Sequence, residues 1–283
     1  MVGLWPPCLI AENRLKKNLM LKGALHIHST YSDGEFTLPE LRRIFLAENC
    51  TFICMNDHAE YFDTPKLMAY SEECHALSDD KLRFVVGLEY RCEKEMHILG
   101  YGATELAKSQ DPQTIIRHID SQGAISVIAH PKNEFFSWIE TFETLPQGIE
   151  TWNSKYDGRY APRPGTFALL QRLKKRRPQM HAFCGQDLHW KKQFRGLFVE
   201  LDDESAQPAE IIRALSLGTF KGRKGELRLP SSGILPKELL NQFAHAQNKS
   251  YRVRRVLKEG GKALDRAGIK VPDSIKTQLR RIF

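Results

Sequence analysis

Short, nearly all-apolar runs alternate with helical patterns along most of this chain, and that alternation limits the fold more than any other feature. Ala24–His28 reads as a strand, and Thr37 with Glu40 three residues later makes a capping box ahead of Leu41, Ile44 and Phe45. Thr51–Met55 is a second strand, and Thr64-Pro65 opens a second helix, proline being tolerated in the first turn. Arg83–Glu89 and Met96–Gly102 read as the next two strands. Asp111-Pro112 opens a helix through Ile115, Ile116 and Ile119 that Gly123 ends. Ala124–Ala129, Gly148–Trp152, Met180–Cys184 and Gly196–Leu201 complete the series. Strands this apolar are buried on both faces, which predicts an α/β protein on a parallel sheet. At least seven units before residue 230 favour a barrel over an open sheet.

The polar residues fall at the ends of these runs. His26 and His28 close the first strand, and alternate strand residues share a face. Ser32-Asp33-Gly34 follows in the loop, Asp57-His58 follows the second strand, and Glu89 ends the third. His97 lies on the fourth, Ala129-His130-Pro131 ends the fifth, and Gly185-Gln186-Asp187-Leu188-His189 follows Met180–Cys184. The C-terminal rim of a parallel α/β barrel is where side chains from several strands converge. Imidazole and carboxylate without thiolate suit Mn²⁺, Zn²⁺ or Fe²⁺, and so many donors exceed the needs of one ion. His75, His118, His181 and His245 fall outside these segments and read as structural.

These segments resemble the polymerase and histidinol phosphatase (PHP) superfamily of metal-dependent phosphoesterases. HIHSTYSDG at 26–34, NDH at 56–58, GLE at 87–89, HILGYG at 97–102, AHP at 129–131 and GQDLH at 185–189 come in the family's order, across residues 22–230. The resemblance implies a distorted (β/α)7 barrel carrying a trinuclear site. One ion would sit on His26, His28, Glu89 and Asp187, and a second on bridging Glu89 with His97 and His130. A third would sit on Asp33, His58 and His189. Asn56 stands where threonine is common and Gln186 where serine is common, neither at a ligand position. The implied activity is hydrolysis of a phosphomonoester or small phosphodiester, with clustered ions making hydroxide available near pH 7 and neutralising phosphate charge. Asp57 reads as an acceptor that orients an imidazole. Asp187 or His189 would protonate the leaving alkoxide.

Substrate contacts are expected from the segment after Gly148–Trp152. Asn153 to Arg163 carries Lys155, Arg159 and Arg163 with two tyrosines, and reads either as a phosphate clamp or as a solvated loop. Lys132, just past Ala-His-Pro, carries the same two readings. Trp138 and Trp190 adjoin site segments, as pocket walls or as core.

Charge separates the tail from the body. The chain carries +8 overall, and residues 236–283 hold 12 Lys/Arg against 4 Asp/Glu, leaving the rest neutral. Leu229–Pro236 reads as a boundary, giving an N-terminal extension (1–22), the phosphoesterase body (23–230) and a basic, mostly helical extension (231–283). Tyr251–Lys258 and Leu279–Phe283 mix cations with apolar residues. They read as helices packed on the body, a contact with an anionic membrane surface, or a contact with nucleic acid. Gly260-Gly261 and Pro272 are expected to break the helices.

No apolar run reaches the ~18 residues of a membrane span. The six cysteines are scattered without a CxxC pair, so Cys54 and Cys184 are expected as buried hydrophobes. Met1–Ile10 lacks a basic residue ahead of its apolar segment, and Pro6-Pro7 interrupts it, so no signal peptide is expected. The cytoplasm is the expected compartment, with a peripheral place at the inner membrane face if the tail binds lipid. Two further functions fit the same residues: a nuclease trimming nucleic acid ends with the tail on the backbone, and a non-catalytic metal-binding regulatory protein. The intact ligand set speaks against the last, and a phosphatase assay with and without metal separates it from the other two.

Overall fold

The computed structural model describes residues 20–158, 161–202, 205–266 and Pro272. The strands and helices are β1 (Leu21–Ile27), α1 (Leu38–Ala47), β2 (Phe52–Met55), β3 (Asp57–His58), α2 (Thr64–Ala76), β4 (Arg83–Val85), β5 (Gly87–Arg91), β6 (His97–Tyr101), α3 (Pro112–Ser121) and β7 (Ile125–Ile128). They continue with α4 (Phe136–Glu140), β8 (Gly148–Asn153), α5 (Pro164–Lys174), β9 (His181–Gly185), β10 (Phe198–Leu201), α6 (Pro208–Leu217), β11 (Phe220–Lys224), β12 (Leu227–Pro230) and α7 (Lys237–Arg266).

Local chemistry sets the helix starts. The Thr37 hydroxyl accepts from Glu40 N while the Glu40 carboxylate accepts from Thr37 N, closing the capping box at α1. Asp63 and Asp111 cap α2 and α3 by accepting from Lys66 N and Thr114 N, each ahead of a proline in the first turn. Gly218, at φ 73°, ends α6 in the left-handed conformation that glycine adopts without steric cost.

The strands form two six-stranded mixed sheets, ordered β12-β11-β10-β1-β2-β4 and β3-β5-β6-β7-β8-β9. This corrects the expected parallel sheet. β5–β6 and β6–β7 pair antiparallel, as do β1–β10, β10–β11 and β11–β12. Only Cys92–Met96 separate β5 from β6, too few residues for a parallel crossover, so β6 must turn back as a hairpin arm. Because β6 runs in reverse, its first residue, His97, lies level with the last residues of its antiparallel neighbours β5 and β7. β11 and β12 lie where the sequence showed no apolar run, since Lys221, Arg223 and Arg228 interrupt them.

The sheets are joined at both edges. The segment read as one strand from Arg83 to Glu89 is two, with Val86 between, and Asn56 separates β2 from β3 in the same way. Asn56 N donates to Ile27 O (2.8 Å) and its Nδ2 to Leu88 O (3.3 Å), stitching the step. A Cβ on Gly87 would lie 2.5 Å from Gly100 O, so the backbones meet here only around a glycine. On the far edge, the segment after β9 runs beside β1 through Gln186 N to Leu25 O (3.0 Å) and a bridge between Ile27 and Leu188.

Alternate strand residues divide between two buried clusters. Leu25, Cys54, Leu99, Val127 and Phe183 join Ile211 and Leu215 of α6, while Ala24, Ile53, Ile98 and Ile128 join Leu41, Phe45, Tyr70 and Ile116 of the helices. Cys54 and Cys184 are buried free thiols, and burial pushes the Cys184 thiol up to about 12. Cys8 lies outside the described residues.

α7 is one helix of 30 residues that runs through Gly260-Gly261, against the expected break. Two glycines lower helix stability by about 1 kcal/mol each without interrupting the hydrogen-bond ladder. Its first turns pack on the body: Phe243 is buried, Leu239 and Leu240 meet the core, and the Gln247 amide donates to Asp157 O. Further along, Tyr251 and Val256 are exposed. Leu279–Phe283 lie outside the described residues. No helix among the described residues is long and apolar enough to cross a membrane.

Candidate metal centre

Six strand ends deliver their polar side chains to one place. Glu89, on β5, is buried at its centre. Its Oε2 lies 3.2 Å from His26 Nε2, 3.2 Å from His28 Nε2 and 3.6 Å from His58 Nε2. Its Oε1 lies 2.9 Å from His97 Nδ1 and 3.2 Å from His130 Nε2. Asp187 flanks it, with Oδ1 3.1 Å from His189 Nδ1 and 3.8 Å from His28 Nε2, and Oδ2 3.7 Å from His130 Nε2. Asp33, at the exposed rim, sets Oδ1 3.2 Å from His189 Nε2 and 3.8 Å from His58 Nε2.

All nine residues expected as ligands are therefore within one connected cluster. Their donor atoms fall into four overlapping groups: His28, Asp33, His58 and His189; His26, His130 and Asp187; His26, His28 and Glu89; His58, Glu89 and His97. The grouping differs in detail from the expected partition, since His28 also joins the Asp33 set and Asp187 also joins His130.

The donors fit divalent transition-metal ions. They are imidazole nitrogens and carboxylate oxygens with no thiolate. Nδ1 of His28 and Nδ1 of His58 are buried without a hydrogen-bond partner, a cost that an ion held there would relieve. Backbone strain gathers at the same place. His26, His130 and Asp187 have φ of 63°, 27° and 51°, left-handed values disfavoured for residues with a Cβ.

The electrostatics are those of a tight array of opposite charges. Burial pushes Glu89 and Asp187 toward the neutral acid, but His26 and its neighbouring donors hold both well below the usual carboxylate range. Burial also opposes charge on His189, yet Asp187 and Asp33 hold it up at about 9. Burial, with His189 alongside, takes His28 down to about 3.

Around the cluster the structure reassigns several side chains. Asp57 does not orient an imidazole: its carboxylate accepts from Ser29 N (2.8 Å), Ser29 Oγ (2.8 Å) and Ser32 Oγ (2.6 Å), so it ties down the loop carrying His28 and Asp33. The orienting carboxylate is Glu150, which the sequence reading missed. Its Oε1 meets His26 Nδ1 at 2.8 Å, and its Oε2 accepts from His130 N and Asn153 Nδ2, both at 2.8 Å. The available signal was a single acid inside the apolar run of β8. Gly185 belongs to the same arrangement, because a Cβ there would lie 1.7 Å from Glu150 Oε1.

The expected substrate cations part company. Lys155 reaches the cluster, donating to Asp187 Oδ1 (3.0 Å) beside His189 Nδ1 (3.4 Å). Arg163 is committed elsewhere, donating to buried Asp157 and to Pro131 O, where it braces the turn behind His130. Lys132 is exposed, 3.9 Å from Glu134 and outside the cluster. Arg159 lies outside the described residues. Of the histidines read as structural, His118 and His181 meet backbone carbonyls of Glu105 and Ser216.

No family model matches the chain, and no curated protein matches it. Solved structures do. A two-domain protein from Bacteroides vulgatus, described as containing a predicted PHP-like metal-dependent phosphoesterase, is 18% identical at TM-score 0.51, over 80% of this chain and 69% of that one. PsfC from Pseudomonas syringae is 10% identical at TM-score 0.50, over 83% of this chain and 98% of that one. An amidohydrolase from Chromobacterium violaceum is 14% identical at TM-score 0.46, over 62% of this chain and 90% of that one. The fold is thus like that of the Bacteroides vulgatus protein.

Two outcomes follow from this geometry. Glu150→Gln, which weakens the contact to His26, is expected to lower Mn²⁺ or Zn²⁺ affinity about 10- to 100-fold in a competition titration, with the circular dichroism spectrum unchanged. In chelator-treated protein, His189 is raised from 6.5 to about 9, so its stabilisation is complete below 6.5 and lost as pH rises through about 9. Tm of the chelated protein should therefore fall across that window, and metal uptake at pH 7 should release protons into a weakly buffered solution.

Proposed function

We propose that this chain, whose fold is like that of a PHP-like metal-dependent phosphoesterase, hydrolyses a phosphomonoester or small phosphodiester with two or three divalent ions. The single observation that carries this reading is the gathering of nine buried or rim donors, Glu89 and Asp187 among them, into one cluster in which Nδ1 of His28 and of His58 is buried without a partner. A purely structural histidine cluster would satisfy those atoms.

The expected distorted barrel is part of the same reading. Hydrogen bonds run from β1 through β2–β3, β4–β5, β6, β7, β8 and β9, and the segment after β9 returns to β1. That succession supports a seven-stranded ring with one reversed member.

In the trinuclear assignment, His26, His28, Glu89 and Asp187 would hold one ion. Glu89 with His97 and His130 would hold the second, and Asp33, His58 and His189 the third. Such ions supply Lewis acidity to phosphate oxygens and acidify water. The chain's own groups do the rest. Lys155 presents an ammonium beside Asp187, where it would neutralise a phosphate oxygen. Asp187 and His189 form a buried hydrogen-bonded pair that can hold the proton the leaving alkoxide requires. Glu150 and Asp57 keep the donors in register without reaching the substrate. The exposed second half of α7, with Arg252 and Arg255, is a candidate contact for an anionic surface.

Glu89→Gln and Asp187→Asn are expected to abolish hydrolysis across a panel of phosphomonoesters and cyclic phosphodiesters while leaving the fold intact. Lys155→Ala should raise KM about 10-fold or more, the value of a charge-assisted hydrogen bond of ~1.5–3 kcal/mol. Wild-type rates in either carboxylate variant would overturn the assignment.

A further inference from the structure

α7 changes character halfway along its length. Its first half is anchored: Phe243 is buried, Leu239, Leu240 and Ala246 pack against the core, and the Gln247 amide donates to Asp157 O and Ala161 O. Beyond Gln247, apolar side chains come into water. Tyr251 is 66% exposed, Val256 64% and Leu264 39%. Val256, Gly260 and Leu264 recur every four residues, so they share one stripe of the helix, and all three are exposed. Val253 and Leu257 border that stripe half-buried. Scattered exposed apolar residues need no account, but a repeated stripe on a helix that runs on past its own anchor does.

Charge accompanies the stripe. Residues 251–266 hold six Lys/Arg against two Asp/Glu. Arg252 and Arg255 are exposed, the second 3.7 Å from Glu259. Three occupants compete for such a helix. A second copy of the chain would bring two basic segments together, and their like charge opposes that. Nucleic acid would answer the cations but leave Val256 and Leu264 in water. An anionic bilayer answers both, because apolar side chains enter the boundary between headgroups and acyl chains while cations stay among the headgroups.

We infer that residues 251–266 of α7 dock this protein on an anionic lipid bilayer. Val256 and Leu264 enter the interface, and Arg252 and Arg255 meet phospholipid headgroups. The segment is about 24 Å long at ~1.5 Å per residue, enough to lie along the surface as an interfacial helix. The inference is independent of the phosphoesterase reading, because docking uses none of the cluster residues.

Co-sedimentation of the full-length protein with vesicles of phosphatidylcholine, alone or with about one-third phosphatidylglycerol, tests it. At ~0.1 M salt the anionic vesicles should bind about ten-fold tighter than the neutral ones, and ~0.5 M salt should remove most of the difference. Val256→Gln with Leu264→Gln keeps charge and helix propensity, and should weaken vesicle binding about ten-fold. Arg252→Gln with Arg255→Gln should weaken it by a similar factor and reduce its salt dependence. Equal binding to both vesicle types, or binding to neither, overturns the inference, as does binding that survives both pairs of substitutions. A single-stranded oligonucleotide held more tightly than anionic vesicles, and indifferent to Val256→Gln with Leu264→Gln, overturns it in favour of nucleic acid. A dimer in sedimentation velocity that the same pair of substitutions dissociates overturns it in favour of a second copy.

Discussion

A buried carboxylate surrounded by five imidazoles is the constraint on which the rest of this structure depends. Glu89 is taken out of water, and an unpaired charge there would cost several kcal/mol. Its two oxygens are instead shared among His26, His28, His58, His97 and His130, all within 3.6 Å. Such sharing demands that residues far apart in sequence end at the same level. Parallel strands do this by running in one direction, so that their last residues form a rim. β6 does it from the opposite direction, delivering His97 from its start.

The same constraint explains the strained and closely fitted places. Left-handed backbone at His26, His130 and Asp187 turns these side chains inward at the points where their strands end. Glu150 then fixes the His26 ring and the His130 backbone together, and Gly185 keeps the neighbouring strand clear of it. Asp57 performs the equivalent task for the loop bearing His28 and Asp33, through two serines rather than a histidine. Arg163 braces the turn behind His130 from outside. Removing any of these supports would leave the donors present but loosely aimed, which is how a metal centre loses affinity without losing ligands.

Much of this was legible in the sequence. The candidate donors stood out because each interrupts or ends an apolar run, and a polar residue at a strand end carries its position with it. The caps at Thr37 and Asp111 were legible because capping is a contact within four residues. What escaped depended on contacts across the fold. The reversal of β6 hinges on the shortness of Cys92–Met96, which an apolar pattern does not register. Glu150 looked like one polar interruption of a buried strand, and its partner lies 124 residues away. Asp57 sits beside His58 in the chain yet bonds elsewhere, since neighbours on a strand point to opposite faces. The strands β11 and β12 are too charged to show an apolar run, and α7 carries its glycines where its neighbours keep it helical.

The central claim is that the Glu89–Asp187 cluster is a centre for more than one divalent ion. Elemental analysis of the full-length protein, purified without chelator and then loaded with Mn²⁺, Zn²⁺ or Fe²⁺ and desalted, tests it most directly. The account predicts two to three ions per chain, falling when Glu89→Gln removes the shared carboxylate. A stoichiometry that stays at zero after loading with each of the three metals would contradict it.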